Sequence, residues 1–129
     1  MGRRPRPRVL VVDDAPEVAR RIVTQVEELE LFDVGPPIDD LDQALRAWET
    51  ARPDAVVLDL HLGPASGLTM LARIRASARP CIVVVLTASN EPSLREACLA
   101  GGADRVLIKA QDCDRVGEVL RDLLGASTH

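Results

Sequence analysis

Five short apolar runs recur along the chain, and between them apolar residues return at every third or fourth position. The runs cover residues 9–12, 32–38, 55–58, 82–86 and 106–108. Short apolar runs bounded by turn signals read as strands buried on both faces of a sheet, whereas the 3.6-residue rhythm between them reads as amphipathic helix. Ile82, Val83, Val84 and Val85 are all β-branched, which suits a central strand. The second run contains Gly35, Pro36 and Pro37, and prolines are tolerated in sheets at edges or ends, so it is predicted as a short edge strand.

The spacing of Val18, Ile22, Val26 and Leu29 predicts a first helix over about residues 15–30. Asp14 is placed as its N-cap, Pro16 in its first turn and Glu17 at capping-box spacing. Leu41, Ala44, Leu45 and Trp48 form one face of a second helix closed by Pro53, with Trp48 in the core. Residues 63–67 read as a turn cluster, after which Leu68, Leu71, Ala72 and Ile74 mark a third helix ending before Pro80. A fourth opens at Glu91-Pro92-Ser93, carries Leu94, Ala97 and Cys98, and stops at Gly101-Gly102. Asp112 or Asp114 is expected to cap the fifth, whose Val116, Val119, Leu120, Leu123 and Leu124 share a face, with fraying after Gly125.

Five strands alternating with five helices through short connections specify an α/β fold, a doubly wound (βα)5 three-layer sandwich with a parallel sheet. The order 2-1-3-4-5 puts the proline-bearing strand at an edge and the most apolar strands inside. It also makes strands one and three neighbours whose connections leave in opposite directions, which opens a crevice at their carboxyl ends.

Composition narrows the picture. A chain of 129 residues, 47% hydrophobic and 28% charged, suits one domain, expected over residues 8–125 between a basic disordered leader (1–7) and a frayed tail (126–129). Apolar segments are too short to span a bilayer and no signal-peptide pattern is present, so a cytoplasmic protein without membrane insertion is expected. Cys81, Cys98 and Cys113 are odd in number and widely spaced, matching neither a disulfide framework nor a zinc site. The net charge of −4 argues against direct nucleic-acid binding, and Arg3, Arg4, Arg6 and Arg8 read as a solvated leader.

Four of the five strands end in a polar group: Asp13 and Asp14, Asp59, Thr87, and Lys109. An isolated aspartate at a strand end usually caps a turn, but all these ends share one rim. Crowded carboxylates raise a pKa or attract a cation, and Mg²⁺ with Lys109 balances the three negative charges. A metal, a lysine and a hydroxyl around the lone carboxylate of the middle strand make a site for phosphoryl transfer to Asp59.

These residues resemble the receiver domains of two-component response regulators. The resemblance rests on Val-Val-Asp-Asp at 11–14, Leu-Asp-Leu-His-Leu at 58–62, Leu-Thr-Ala at 86–88 and the Gly-Ala-Asp at 102–104 that leads to Lys109, and it spans residues 9–124. It implies a flavodoxin-like fold and transfer to Asp59 from a phosphohistidine of a sensor histidine kinase or a histidine phosphotransfer protein. It further implies Mg²⁺ held by Asp13, Asp14, Asp59 and the main-chain carbonyl of His61, with slow self-hydrolysis rather than turnover of a separate substrate. Phosphorylation is then expected to draw Thr87 inward and remodel the face of helix four, strand five and helix five. Two positions depart from the family: Val106 stands where an aromatic switch residue is usual, and Ala110 where a proline follows the lysine.

Other readings are weaker. A small phosphatase using Asp59 as nucleophile lacks a second acid two residues on, since that position is His61. A nucleotide- or flavin-binding domain lacks a glycine-rich loop after the first strand. A receiver-like docking or dimerisation module that works without phosphorylation fits the Val106 and Ala110 departures. Arg95, Arg115, Glu118, Arg121 and Asp122 form a charged set that suits docking of a second copy or a partner as well as plain solvation. The chain ends soon after the fifth helix, so an output domain is expected in a partner or in the remainder of a longer regulator.

Overall fold

The structure, a computed structural model, describes residues 5–63 and 65–127, the last two by backbone alone. Five parallel strands form one sheet: β1 (Arg8–Val12), β2 (Asp33–Val34), β3 (Ala55–Asp59), β4 (Ile82–Thr87) and β5 (Arg105–Ile108), in the order β2-β1-β3-β4-β5. The predicted order is the observed one. Five helices cover the sheet: α1 (Pro16–Glu28), α2 (Leu41–Ala51), α3 (Gly67–Ala76), α4 (Pro92–Ala100) and α5 (Val116–Ser127).

Successive strand residues face opposite layers, so each apolar run feeds two cores. Val9, Val11, Val57, Val84, Leu86 and Leu107 pack on Ile22 and Val26 of α1 and on Val116 and Leu120 of α5. Leu10, Val12, Val56, Leu58, Val83 and Val85 pack on Trp48 of α2, on Met70, Leu71 and Ile74 of α3, and on Cys98 of α4. Fully burying each such side chain contributes roughly 1.5–3 kcal/mol, offsetting the cost of ordering the chain. Arg79 lies over the Trp48 ring, 4.0 Å from its centroid, and donates to the Trp48 carbonyl at 2.7 Å.

Register levels the functional ends. Val12 pairs with Leu58, so Asp13 follows β1 where Asp59 ends β3, and Asp59 pairs with Leu86. Thr87 pairs with Ile108, one residue before Lys109.

The helix ends depart from expectation. Ala15 is the N-cap of α1 and makes no side-chain cap bond. Asp14 does not cap it, because its carboxylate accepts from the Gly63 amide at 2.9 Å; Asp13 Oδ1 accepts from the Ala15 amide at 2.8 Å instead. Neither Asp112 nor Asp114 caps α5. Residues Lys109–Asp112 form one helical turn, Cys113–Arg115 a 3-10 turn, and these run straight into α5. Asp112 Oδ2 accepts from the Ile108 amide at 3.0 Å, and Asp114 pairs with Arg21. α5 continues past Gly125 to Ser127; residues 128 and 129 of the expected tail lie outside the described residues.

The edge strand is also shorter than predicted: regular pairing covers only Asp33–Val34, and Ile38 rejoins β1 through a single bridge to Val12 after the glycine and prolines. Within the turn cluster, His61–Leu62 and Ala65–Ser66 pair as a small antiparallel ribbon, with Pro64 outside the described residues. Arg3 and Arg4 of the leader likewise lie outside them, whereas the Pro7 carbonyl accepts from the Asp33 amide at 2.9 Å, so the end of the leader is tied to β2.

Candidate phosphoacceptor and metal site

β1, β3 and the turn after β5 bring Asp13, Asp14, Asp59 and Lys109 together on the carboxyl rim of the sheet. One oxygen from each carboxylate lies within 4.8 Å of the others. Asp13 and Asp59 are each only 2% exposed, whereas Asp14 faces solvent. Lys109 Nζ donates to Asp13 Oδ1 and to Asp59 Oδ2, both at 3.2 Å. Asp13 Oδ2 is 3.1 Å from the same ammonium but off its hydrogen-bond direction, so this buried oxygen attracts the charge and has no hydrogen-bond partner. The His61 amide donates to Asp59 Oδ1 at 3.1 Å.

Burial pushes the Asp59 carboxyl above its ordinary pKa against the His61 hydrogen bond, and the Asp13 charge adds to the rise while Lys109 opposes it. Burial alone would lower the Lys109 ammonium, but its bonds and attraction to Asp13 and Asp59 more than offset this and raise it. Three carboxylates against one ammonium leave two uncompensated negative charges if all ionise. That balance, the oxygen-only donor set and a buried Asp13 oxygen that accepts no hydrogen bond fit a hard divalent cation such as Mg²⁺.

Thr87 ends the strand beside Asp59 and is buried; its hydroxyl oxygen accepts from the Ser89 amide at 3.1 Å, which leaves the hydroxyl proton available to a ligand. His61 is exposed. Val106 is buried under α4 among the apolar residues of that layer, and Arg95 donates to its carbonyl at 3.3 Å. Ala110 lies in the helical turn after Lys109, and no cis peptide occurs among the described residues.

Sequence reasoning missed several residues that shape this rim. Gly63, at φ 62°, gives its amide to Asp14. Gly67 packs against the main chain of Asp59, where a Cβ would stand 2.3 Å from the carbonyl oxygen. At the opposite, amino edge of the sheet the Gly-Ala-Asp motif forms a brace. Arg75 donates to the Gly102 carbonyl at 2.8 Å, the Cys81 carbonyl at 2.7 Å and Asp104 Oδ2 at 2.9 Å, and Asp104 also accepts from the Val83 amide at 2.8 Å. Regularly recurring glycines after Asp59 were the available signal, but their partners are set by tertiary contact.

The parallel order 2-1-3-4-5 is that of the flavodoxin-like class of α/β proteins, and the acid-and-lysine rim lies at the β1–β3 switch point where such sheets bind ligands. The receiver-domain model of response regulators matches residues 9–121. The chain belongs to this family of response regulator receiver domains. It is similar to the transcriptional regulatory protein PrrA of Mycobacterium leprae, 38% identical over 80% of this chain and 43% of that protein. It is also similar to the protein-glutamate methylesterase/protein-glutamine glutaminase 5 of Myxococcus xanthus, 40% identical over 79% of this chain and 30% of that protein. The chain thus spans less than half the length of these curated relatives.

Among solved structures, a Francisella response regulator 1452 receiver domain superposes with a TM-score of 0.86 at 26% identity, covering 95% of this chain and 99% of that one. A two-component response regulator from Clostridium difficile shares the fold at 19% identity and a TM-score of 0.86, covering 96% and 100%. Among the described residues, no helix is long and apolar enough to cross a membrane.

Proposed function

We propose that the chain is a cytoplasmic phosphoacceptor that takes a phosphoryl group onto Asp59 from the phosphohistidine of a sensor histidine kinase or histidine phosphotransfer protein. The observation that carries this reading is the Lys109 ammonium bridging Asp13 and Asp59, with Asp14 beside them. An Asp59 carboxylate oxygen attacks phosphorus as the phosphorus–nitrogen bond to the donor imidazole breaks, leaving an acyl phosphate on Asp59 and a neutral imidazole once its charge is balanced by a proton. Mg²⁺, held by Asp13, Asp14, Asp59 and the main-chain carbonyl of His61, supplies positive charge to the phosphoryl oxygens when bound. Lys109 gives up its bond to Asp59 and pairs with a phosphoryl oxygen, and the Thr87 hydroxyl donates to another.

Water later attacks the acyl phosphate slowly, so the chain assists its own phosphorylation and dephosphorylation without acting on a separate substrate. The state of Asp59 passes through Thr87 to α4, β5 and α5, and from there to an output domain, a protein partner or a second copy of the chain, with no direct nucleic-acid contact. The buried Val106 supports a second reading, in which the same fold docks a partner without phosphorylation.

Incubation with acetyl phosphate and Mg²⁺ followed by intact mass decides between them. The expected result is one added phosphoryl group that Asp59→Asn abolishes; an unmodified wild type would leave the docking reading.

A further inference from the structure

Lys109 is the cation that reaches the buried carboxylates, so whatever fixes the chain just after β5 fixes its ammonium. Cys113 and Val116 anchor this segment in the apolar core beside α1, and polar contacts at Asp112, at Asp114 and at the Cys113–Gly117 stretch add to that. Asp112 binding the Ile108 amide is local to the segment. The Arg21–Asp114 pair is solvent-exposed, 58% and 79% by side chain, and such pairs hold little.

The third contact is that of Gln25, half-buried on α1. Its Nε2 donates to the Cys113 carbonyl at 2.9 Å, and its Oε1 accepts from the Gly117 amide at 2.6 Å. A carbonyl accepts only from the amide nitrogen and an N–H donates only to the amide oxygen, so the two contacts fix the side-chain orientation together. Gly117 allows the approach: a Cβ there would stand 3.0 Å from Leu29 Cδ1 and 3.2 Å from Gln25 Oε1. The Gly117 amide lies in the first turn of α5, so this contact ties the start of that helix to the neighbouring α1.

α1 begins just after Asp13-Asp14, and the gripped segment begins at Lys109. We propose that Gln25 is a positioning residue for Lys109: by locking Cys113 and Gly117 to α1, it sets the separation between the ammonium and the carboxylates. The proposal rests on the phosphoacceptor reading.

The test compares phosphorylation rates from acetyl phosphate at saturating Mg²⁺. Gln25→Leu, which keeps the side chain's bulk but makes neither bond, should slow phosphorylation by about three- to tenfold, and Gln25→Glu, which retains only the Gly117 contact, should slow it less. In a Lys109→Ala background, Gln25→Leu should change the rate by less than about twofold, because the group it positions is gone. Equal slowing in both backgrounds would make Gln25 merely structural and overturn the proposal. A wild type that takes no phosphoryl group would overturn the functional reading alone. The inference is then decided by melting of the metal-free protein, where Gln25→Leu and Lys109→Met should lower the melting temperature by less together than the sum of their separate effects. Additive shifts would overturn it.

Discussion

Gly67 lies so close to Asp59 that a Cβ on the glycine would stand 2.3 Å from the Asp59 carbonyl oxygen and 3.0 Å from the Leu60 Cα. The same glycine donates its amide to the Leu60 carbonyl at 2.8 Å. The start of α3 is therefore seated on the main chain that carries the proposed phosphoacceptor. Backbone cannot yield as a side chain can, so Gly67→Ala must shift the Asp59 main chain or the start of α3 seated on it. The expected cost is about 1–3 kcal/mol of stability, measured by denaturant unfolding, together with slower phosphorylation from acetyl phosphate. A variant with wild-type stability and rate would show that the two segments separate without consequence.

Neutralising Asp59 should stabilise the metal-free protein. Burial raises the Asp59 pKa above its unfolded value, so the folded state binds this proton more tightly. Its contribution to stability is then fully present below the unfolded carboxyl pKa, about 3.9, and lost as pH rises through the raised folded value. Asp59→Asn should accordingly raise the melting temperature at pH 7, with the advantage shrinking toward pH 4. A lower melting temperature at pH 7 would mean that the pairing with Lys109 outweighs burial.

Removing the lysine should act in the opposite direction. Lys109→Met leaves Asp13 and Asp59, with side chains 1% and 2% exposed, without the cation between them. Leaving a buried charge unpaired costs about 3 kcal/mol. Chemical denaturation should show that loss in metal-free buffer, and Mg²⁺ or a second change, Asp59→Asn, should recover part of it. A loss unaffected by either would place the role of Lys109 in packing rather than charge.

The thiols should be inert while the protein is folded. Burial pushes Cys81 up to about 12 and also raises Cys98 and Cys113, so little thiolate exists at pH 8. An aromatic disulfide reagent should leave all three unmodified in the native protein and react with all three in guanidinium. Fast labelling of any one without denaturant would reveal local opening around it.

Strand order and the acid-and-lysine rim were readable because they follow from short-range pattern and topology. A run such as residues 82–86 has few other places to go, and parallel strands put their carboxyl ends on one side. What escaped prediction was decided across the sequence. Asp14 looks like a helix cap until Gly63, 49 residues away, offers it an amide. The start of α5 is tied down by Gln25, 92 residues before the amide it accepts from, rather than capped by Asp112 or Asp114 nearby. The ribbon after Asp59 has strands of two residues, too short for any periodicity to register. Propensity names the groups able to cap or turn, while tertiary packing chooses among them.

Each helix is held by the side chains it buries, and α4 fully buries only Cys98, supplemented by the partly buried Leu94 and the contact of Arg95 with the Val106 carbonyl. α1, α2 and α3 each bury two or more residues. Rearranging α4 thus uncovers Cys98, Leu94 and the Val106 beneath it but leaves the core on the other face of the sheet closed. A helix with so few buried side chains opens at lower free energy than its neighbours. The covering helix with the fewest fully buried side chains is also the one that begins a few residues after Thr87.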